Sequence, residues 1–252
     1  MRSLREVLRR RLPHGLRRLV AQTKRRLQDA RRQSKAKFTS KRVEQAELAR
    51  FTCAVDIEQP IRRTAHFEGK MHNIRLAVAR MNHVRLQPGE ALSFWRIVGA
   101  PTAKNGFQVG RGIVDNRLSA DVGGGLCQIA SLLYELGLRA GAAILERHPH
   151  SRDLYTEDNR FTPLGLDATI VWGFKDVRLA NPYPHTLAFV FDVEGSTLRG
   201  RLFSAQPIAP LDLVLAREDD ATGRLRTAKI GRHDGKGGTV PLTCDTYIID
   251  VS

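Results

Sequence analysis

The hydrophobic rhythm of the chain changes as it is read from one end to the other. Near the start, Leu4, Val7, Leu8 and Leu12 recur at helical spacing, Pro13 breaks the run, and Leu16, Leu19 and Val20 resume it. Between Met71 and Val84, Ile74, Ala77, Val78 and Met81 fall on one face, which predicts a helix, and Pro88-Gly89 closes the turn that follows. Ala91 to Phe94 reads as a short strand. Residues 99–122 are glycine-rich and polar, with Val109 and Ile113-Val114 as strand pieces around a turn. A second helix carries Leu126, Ile129, Leu133, Leu136 and Ala140 on its apolar face and ends near Gly141. Cys127, Ala130, Ser131 and Tyr134 share an adjacent face, so the thiol is offset from the core stripe.

Beyond residue 160 the period becomes strand-like. Ala168–Phe174, Thr186–Val193 and Leu198–Phe203 are strand-length and rich in Val, Phe, Thr or Trp, with Glu194-Gly195-Ser196 as a hairpin signal. Val240–Val251 is a final extended segment. Helices followed by strands predict an α+β fold: a mixed or antiparallel sheet with the cysteine-bearing helix packed on it, plus a helical N-terminal arm. The chain accordingly divides into a basic helical arm, 1–50, and an α+β domain, 51–252.

Charge sharpens that division. The net charge is +15, yet residues 1–45 hold 16 Lys/Arg against 3 Asp/Glu, and the rest of the chain holds 25 against 23. A basic amphipathic arm either packs its leucine stripe on the body as a solvated helix or lies on an anionic membrane or polyanion. It lacks interleaved aromatics and any nucleic-acid-binding motif, which argues against nucleic acid as a partner. The three cysteines, Cys53, Cys127 and Cys244, form no even, closely spaced framework and read as free thiols, with Cys53 and Cys244 structural. No apolar run approaches the roughly 20 residues that span a bilayer, and no signal-peptide core is visible. Both absences predict a cytoplasmic or membrane-surface location.

The candidate chemistry centres on Gly123-Gly124-Gly125-Leu126-Cys127-Gln128. A cysteine at a helix N-terminus feels the positive end of the helix dipole, which favours thiolate. Glycines let the backbone approach a ligand closely, and free amides at the helix start suit a developing oxyanion. The alternative is a glycine turn bearing a half-buried structural cysteine. Downstream, Glu146-Arg147-His148-Pro149-His150-Ser151 supplies two imidazoles, either of which suits the base. Asp167 precedes a predicted strand and either orients an imidazole or caps a turn. Gln128 is a candidate oxyanion donor, Ser131 a polar helper, Arg147 a grip for a substrate carboxylate, and Gly124 and Gly125 a close-approach backbone. One thiolate, two imidazoles and a carboxylate are also plausible zinc ligands, although no Cys-x-x-Cys or His-x-x-x-His pair accompanies them. No cofactor is expected.

Pro88-Gly89-Glu90 with Ser93-Phe94, then GGGLCQ at 123–128, ERHPHS at 146–151 and GLDA at 165–168, resemble the VanW-like family, named for a gene of vancomycin-resistance clusters. The resemblance runs in order from about residue 70 to 205, and Asp245-Thr246-Tyr247 looks like the family's C-terminal strand. It implies a cell-envelope protein, and in some members an L,D-transpeptidase whose nucleophile is this cysteine. Cys127 would then attack a peptidoglycan stem peptide, release terminal D-alanine and pass the acyl group to a neighbouring stem amine. The resemblance also favours His150, the residue before serine, over His148. A non-catalytic module that binds a peptide or envelope precursor, and a zinc-stabilised scaffold, are the alternatives.

Overall fold

The computed structural model describes residues 37–114, 117–153, 155 and 160–249, with Val20 and Thr23. The helical arm expected over 1–50 therefore lies largely outside the described residues. The described chain begins with β1 (Lys37–Phe38), α1 (Gln45–Leu48), β2 (Thr52–Pro60), α2 (Phe67–Met81), β3 (Val84–Leu86), β4 (Glu90–Ser93) and α3 (Phe94–Val98). A hairpin of β5 (Val109–Val114) and β6 (Arg117–Val122) leads into α4 (Leu126–Arg139), β7 (Ala143–Glu146), β8 (Arg152–Asp153) and β9 (Arg178–Ala180). Five long strands finish it: β10 (Leu187–Glu194), β11 (Thr197–Ser204), β12 (Leu213–Asp219), β13 (Leu225–His233) and β14 (Thr239–Ile249).

The fold is α+β and rich in strand. Where the sequence pattern suggests one sheet, there are three four-stranded sheets, ordered β1-β4-β9-β7, β2-β11-β10-β3 and β12-β13-β14-β8, beside the β5–β6 hairpin. Most pairings are antiparallel; β1–β4 and β14–β8 are parallel. Residues 37–48, at the end of the basic tract, join the body: β1 pairs with β4, and Val43 and Leu48 are buried.

Helix α4 lies at the centre, packed on α2, β2, β7 and β11. All of its residues but Cys127 and Arg139 are buried, so the burial is broader than a single apolar stripe. Two extended segments depart from expectation. Ala168–Phe174 forms no strand beyond an isolated bridge between Val171 and Lys175. Its backbone groups are taken elsewhere: Ala168 N–H donates to Ser131 Oγ (2.9 Å) and Thr169 N–H to His148 O (2.8 Å). Conversely, β12 and β13 form a ladder that the alternation rule misses. Their outer positions are charged and held by ion pairs such as Arg226–Asp219 (2.7 Å) and Lys229–Glu218 (2.8 Å).

The motif around residue 90 is architectural. Ser93 Oγ caps α3 by accepting from Arg96 N–H and donates to Asp176 Oδ2 at 2.6 Å. The buried Asp176 carboxylate also accepts from Arg178 Nε (2.9 Å), which ties α3 to β9. On the other side of the helix layer, the wholly buried Asn73 of α2 donates to Gln108 O (2.8 Å) and Gly124 O (3.0 Å) and accepts from Gln108 N–H (2.8 Å). One amide thus joins α2, the entry to β5 and the glycine turn before α4.

That junction also needs bare backbone. A Cβ on Gly69 would lie 1.8 Å from Val109 O, and one on Gly124 would lie 2.2 Å from Gly110 O. Gly69→Ala therefore forces the hairpin off α2. Overpacking of this kind destabilises by about 1–3 kcal/mol, so the melting temperature should fall by several degrees. Gly89→Ala, where nothing lies within 4 Å of an added Cβ, should shift the melt less, through its positive φ alone.

Candidate active site

The glycine triplet turns the chain into α4. Gly123 and Gly125 both hold left-handed φ values, 87° and 100°, and Gly125 is the N-cap, so Cys127 is the second helical residue. Gln128 N–H closes back on Gly125 O (3.1 Å), so it is the Leu126 and Cys127 amides that lack an intrahelical acceptor and present the positive end of the helix at this point.

Asp167 faces them from the segment after residue 160. Its Oδ2 accepts from the His150 backbone N–H (2.8 Å) and from His150 Nδ1 (2.6 Å). Fixing Nδ1–H on the carboxylate leaves Nε2 for Cys127, whose thiol is hydrogen-bonded to the His150 ring. The three side chains form one relay in the chain order Cys, His, Asp. Burial pushes the Cys127 thiol up, but the hydrogen bond and charge of His150, with help from Ile170 N–H and Thr169, bring it below its ordinary value. Burial likewise pushes His150 down, and its bonds to Asp167 and Cys127 reverse this into a net rise. Asp167, despite its own burial, is held well below the carboxylate range by His150 and Arg147. All three directions favour thiolate beside imidazolium.

Asp167 Oδ1 is occupied as well. It accepts from Tyr247 OH at 2.6 Å and pairs with Arg147 at 3.2 Å. Burial and the nearby Asp167 charge push the Tyr247 phenol up, so it remains a donor, and it accepts in turn from Gly165 N–H at 3.0 Å. Arg147 is not available to a substrate. Its side chain is 6% exposed, donates to Asp167 O (2.8 Å) and Gly165 O (3.1 Å), ion-pairs with Asp167 and Asp245, and lies over the Tyr134 ring.

The remaining candidates separate by position. His148 points away to Glu146 Oε1 (3.1 Å) and is well exposed. Ser131 is buried, donating to Cys127 O (2.8 Å) and accepting from Ala168 N–H (2.9 Å), so it ties α4 to the Asp167 segment. Gln128 lines the pocket and commits one of its two amide N–H donors to Pro60 O (3.0 Å). Gly124 is packed behind the turn against Gly110 O, whereas Gly125 lines the pocket beside the Lys70 stem. Cys53 and Cys244 are on strands but exposed, and burial with the Asp56 charge pushes Cys53 up. Among the described residues, no cluster of three or more His, Cys, Asp or Glu could hold a metal ion.

Cys127, His150, Gly125 and Gln128 line a pocket of about 370 Å³. Its other walls carry Arg62, Arg63, Lys70 and Arg111, along with Tyr155 and Phe161. None of these stands near the thiol in sequence or at a telling spacing, and neither do Asp245 and Tyr247, which brace the triad from β14.

The family model described as VanW-like protein matches residues 69–203. The chain is 33% identical over 141 residues to the Bacillus subtilis protein YoaR, described as uncharacterized, covering 56% of this chain and 45% of that one. It is 29% identical over 137 residues to the vancomycin B-type resistance protein VanW of Enterococcus faecalis, covering 54% of this chain and 50% of that one. The chain thus spans about half the length of these curated relatives. No solved structure matches it.

The electrostatics predict a pH profile. A depressed thiol pKa keeps the thiolate populated as pH falls below the free-cysteine value of about 8.5. Residue-resolved alkylation by iodoacetamide should therefore show Cys127 reacting with an inflection below that value, and Cys53 with one above it. Asp167→Asn removes the charge that holds the imidazolium and should move the Cys127 inflection upward. An unmoved inflection would detach Asp167 from the relay. Tyr247→Phe strands Gly165 N–H and one lone pair of Asp167, which should lower stability by about 1–3 kcal/mol in denaturant melts.

Proposed function

The chain belongs to the VanW-like family, and from that premise we propose that it is a cysteine-dependent acyl transferase acting on peptidoglycan stem peptides in the manner of an L,D-transpeptidase. The observation that carries this reading is the single hydrogen-bonded relay Cys127–His150–Asp167 at the wall of an open pocket. A buried structural cysteine needs neither an imidazole on its sulfur nor a carboxylate behind that imidazole.

The residues divide the work as follows. The Cys127 thiolate attacks the acyl carbonyl of the donor peptide. The oxyanion develops beside the Leu126 and Cys127 amides at the start of α4. His150, already protonated, passes its proton to the leaving amine as the C–N bond breaks. Asp167 keeps Nδ1–H in place and stabilises the imidazolium, and Tyr247 with Arg147 keeps Asp167 ionised. An incoming amine gives its proton to His150 and attacks the thioester, and the C–S bond breaks to restore the thiolate. Kinship with a protein named for vancomycin B-type resistance fits a cell-wall substrate. The basic residues 1–45 would supply attraction to an anionic surface of the envelope.

Incubation with a tetrapeptide ending in a diamino acid and D-alanine should release D-alanine and leave an acyl adduct on Cys127, visible by mass spectrometry. Cys127→Ala should lose the adduct and at least about a thousand-fold of turnover. Release of D-alanine by Cys127→Ala at the wild-type rate, or no release by the wild-type protein, would overturn the assignment.

A further inference from the structure

Two cations in the pocket have no carboxylate counter-charge among the described residues. Lys70 of α2 and Arg111 of β5 both line it, and among the described residues neither has a carboxylate partner. The other ionisable groups on its wall are the basic Arg62 and Arg63, the phenol of Tyr155 and the Cys127–His150 pair, whose charges answer each other. Their placement follows from the glycine junction. Gly69 and Gly110 let α2 and β5 touch through bare backbone, and this sets Lys70 and Arg111 side by side. Gly125 does the same against α4: a Cβ on it would lie 2.6 Å from Lys70 Cγ. The lysine stem therefore runs directly across the N-cap, two residues before Cys127.

Proximity of like charges and burial destabilise this arrangement. Burial and the Arg111 charge bring Lys70 down to about 8. Two adjacent cations held in a cleft without a carboxylate of their own form a site that is completed by an anionic ligand. The aromatic side chains Tyr155 and Phe161 provide apolar surface in the same pocket.

We propose that Lys70 and Arg111 form a carboxylate subsite that grips the free C-terminal carboxylate of the acyl donor, so that the residue leaving from Cys127 must be the terminal one. This deepens the acyl-transfer reading and rests on it for the chemical step. When the thiolate attacks the penultimate carbonyl, the C–N bond to the terminal amino acid breaks. His150 protonates that amine, and the departing amino acid keeps its carboxylate on the Lys70–Arg111 pair. A free terminal carboxylate is then a requirement for the donor, and an internal peptide bond is rejected because it brings no charge to this pair.

The test compares one stem tetrapeptide as the free acid and as its C-terminal amide. Wild-type kcat/KM should favour the acid by at least about ten-fold, the scale of one charge-assisted pair. Lys70→Met and Arg111→Gln should each collapse that preference to within about two-fold. Iodoacetamide alkylation of Cys127 reports on the nucleophile separately, so a variant that has merely misfolded is recognised. Equal turnover of acid and amide by the wild-type protein overturns the subsite and leaves acyl transfer standing. If neither peptide is turned over, calorimetry with Cys127→Ala decides: tighter binding of the acid upholds the subsite while acyl transfer falls, and equal or absent binding overturns it. Binding of inorganic pyrophosphate in place of the peptide acid would overturn it in favour of a phosphate ligand.

Discussion

A buried carboxylate must be answered by donors, and the ring of donors around Asp167 organises the site. Its two oxygens take the His150 backbone and ring, the Tyr247 hydroxyl and the Arg147 guanidinium. Those donors come from the segment after β7 and from β14, so solvating one anion draws together parts of the chain up to 80 residues apart. Uncompensated, an ion in that position would cost several kcal/mol. With its donors in place, it fixes the tautomer and tilt of the imidazole that meets Cys127. The same compensation explains why Arg147 is unavailable to ligands: its charge is already matched by Asp167 and Asp245.

A second constraint is steric and acts on the opposite wall. Helix α2, strand β5 and the turn before α4 meet where none of them has a side chain, at Gly69, Gly110 and Gly124. Asn73 satisfies the backbone groups that this contact would otherwise bury unpaired. The nucleophile's helix is thereby held against the hairpin that carries Arg111 and the helix that carries Lys70. The glycine triplet thus serves three ends: a left-handed turn, a contact without side chains, and an open approach to the thiol.

The two constraints give the pocket its chemistry. One wall carries Cys127 and His150, whose mutual shifts favour thiolate beside imidazolium; the other carries Lys70 and Arg111, which have no carboxylate partner among the described residues. The proposed donor, with an electrophilic carbonyl one residue from a negative terminus, would meet both. Ser131 and Gln128 hold backbone in place around the pocket, through Cys127 O, Ala168 N–H and Pro60 O.

Much of this was legible from residue order alone. Helical spacing located α2 and α4, alternation located β10, β11 and β14, and the separated blocks GGGLCQ, ERHPHS and GLDA marked Cys127, His150 and Asp167. Local pattern records which face of an element is apolar and which backbone needs glycine, because both are set within a few residues. It does not record partners. The segment after Asp167 has strand composition but is not a strand, since Ser131 and the His148 carbonyl take its hydrogen bonds. The charged β12–β13 ladder has no alternation to read because both ends of each ion pair face water. Tyr247, Asp245, Lys70 and Arg111 are brought to the site by pairings 80 or more residues long and by bare-backbone contacts, neither of which leaves a local period. The sequence alone picked out Cys127, its glycine turn and the order Cys127, His150, Asp167. Only the tertiary structure decided which imidazole faces the thiol, which arginine is locked away and which cations line the pocket, because those outcomes depend on how distant charges compensate one another once water is excluded.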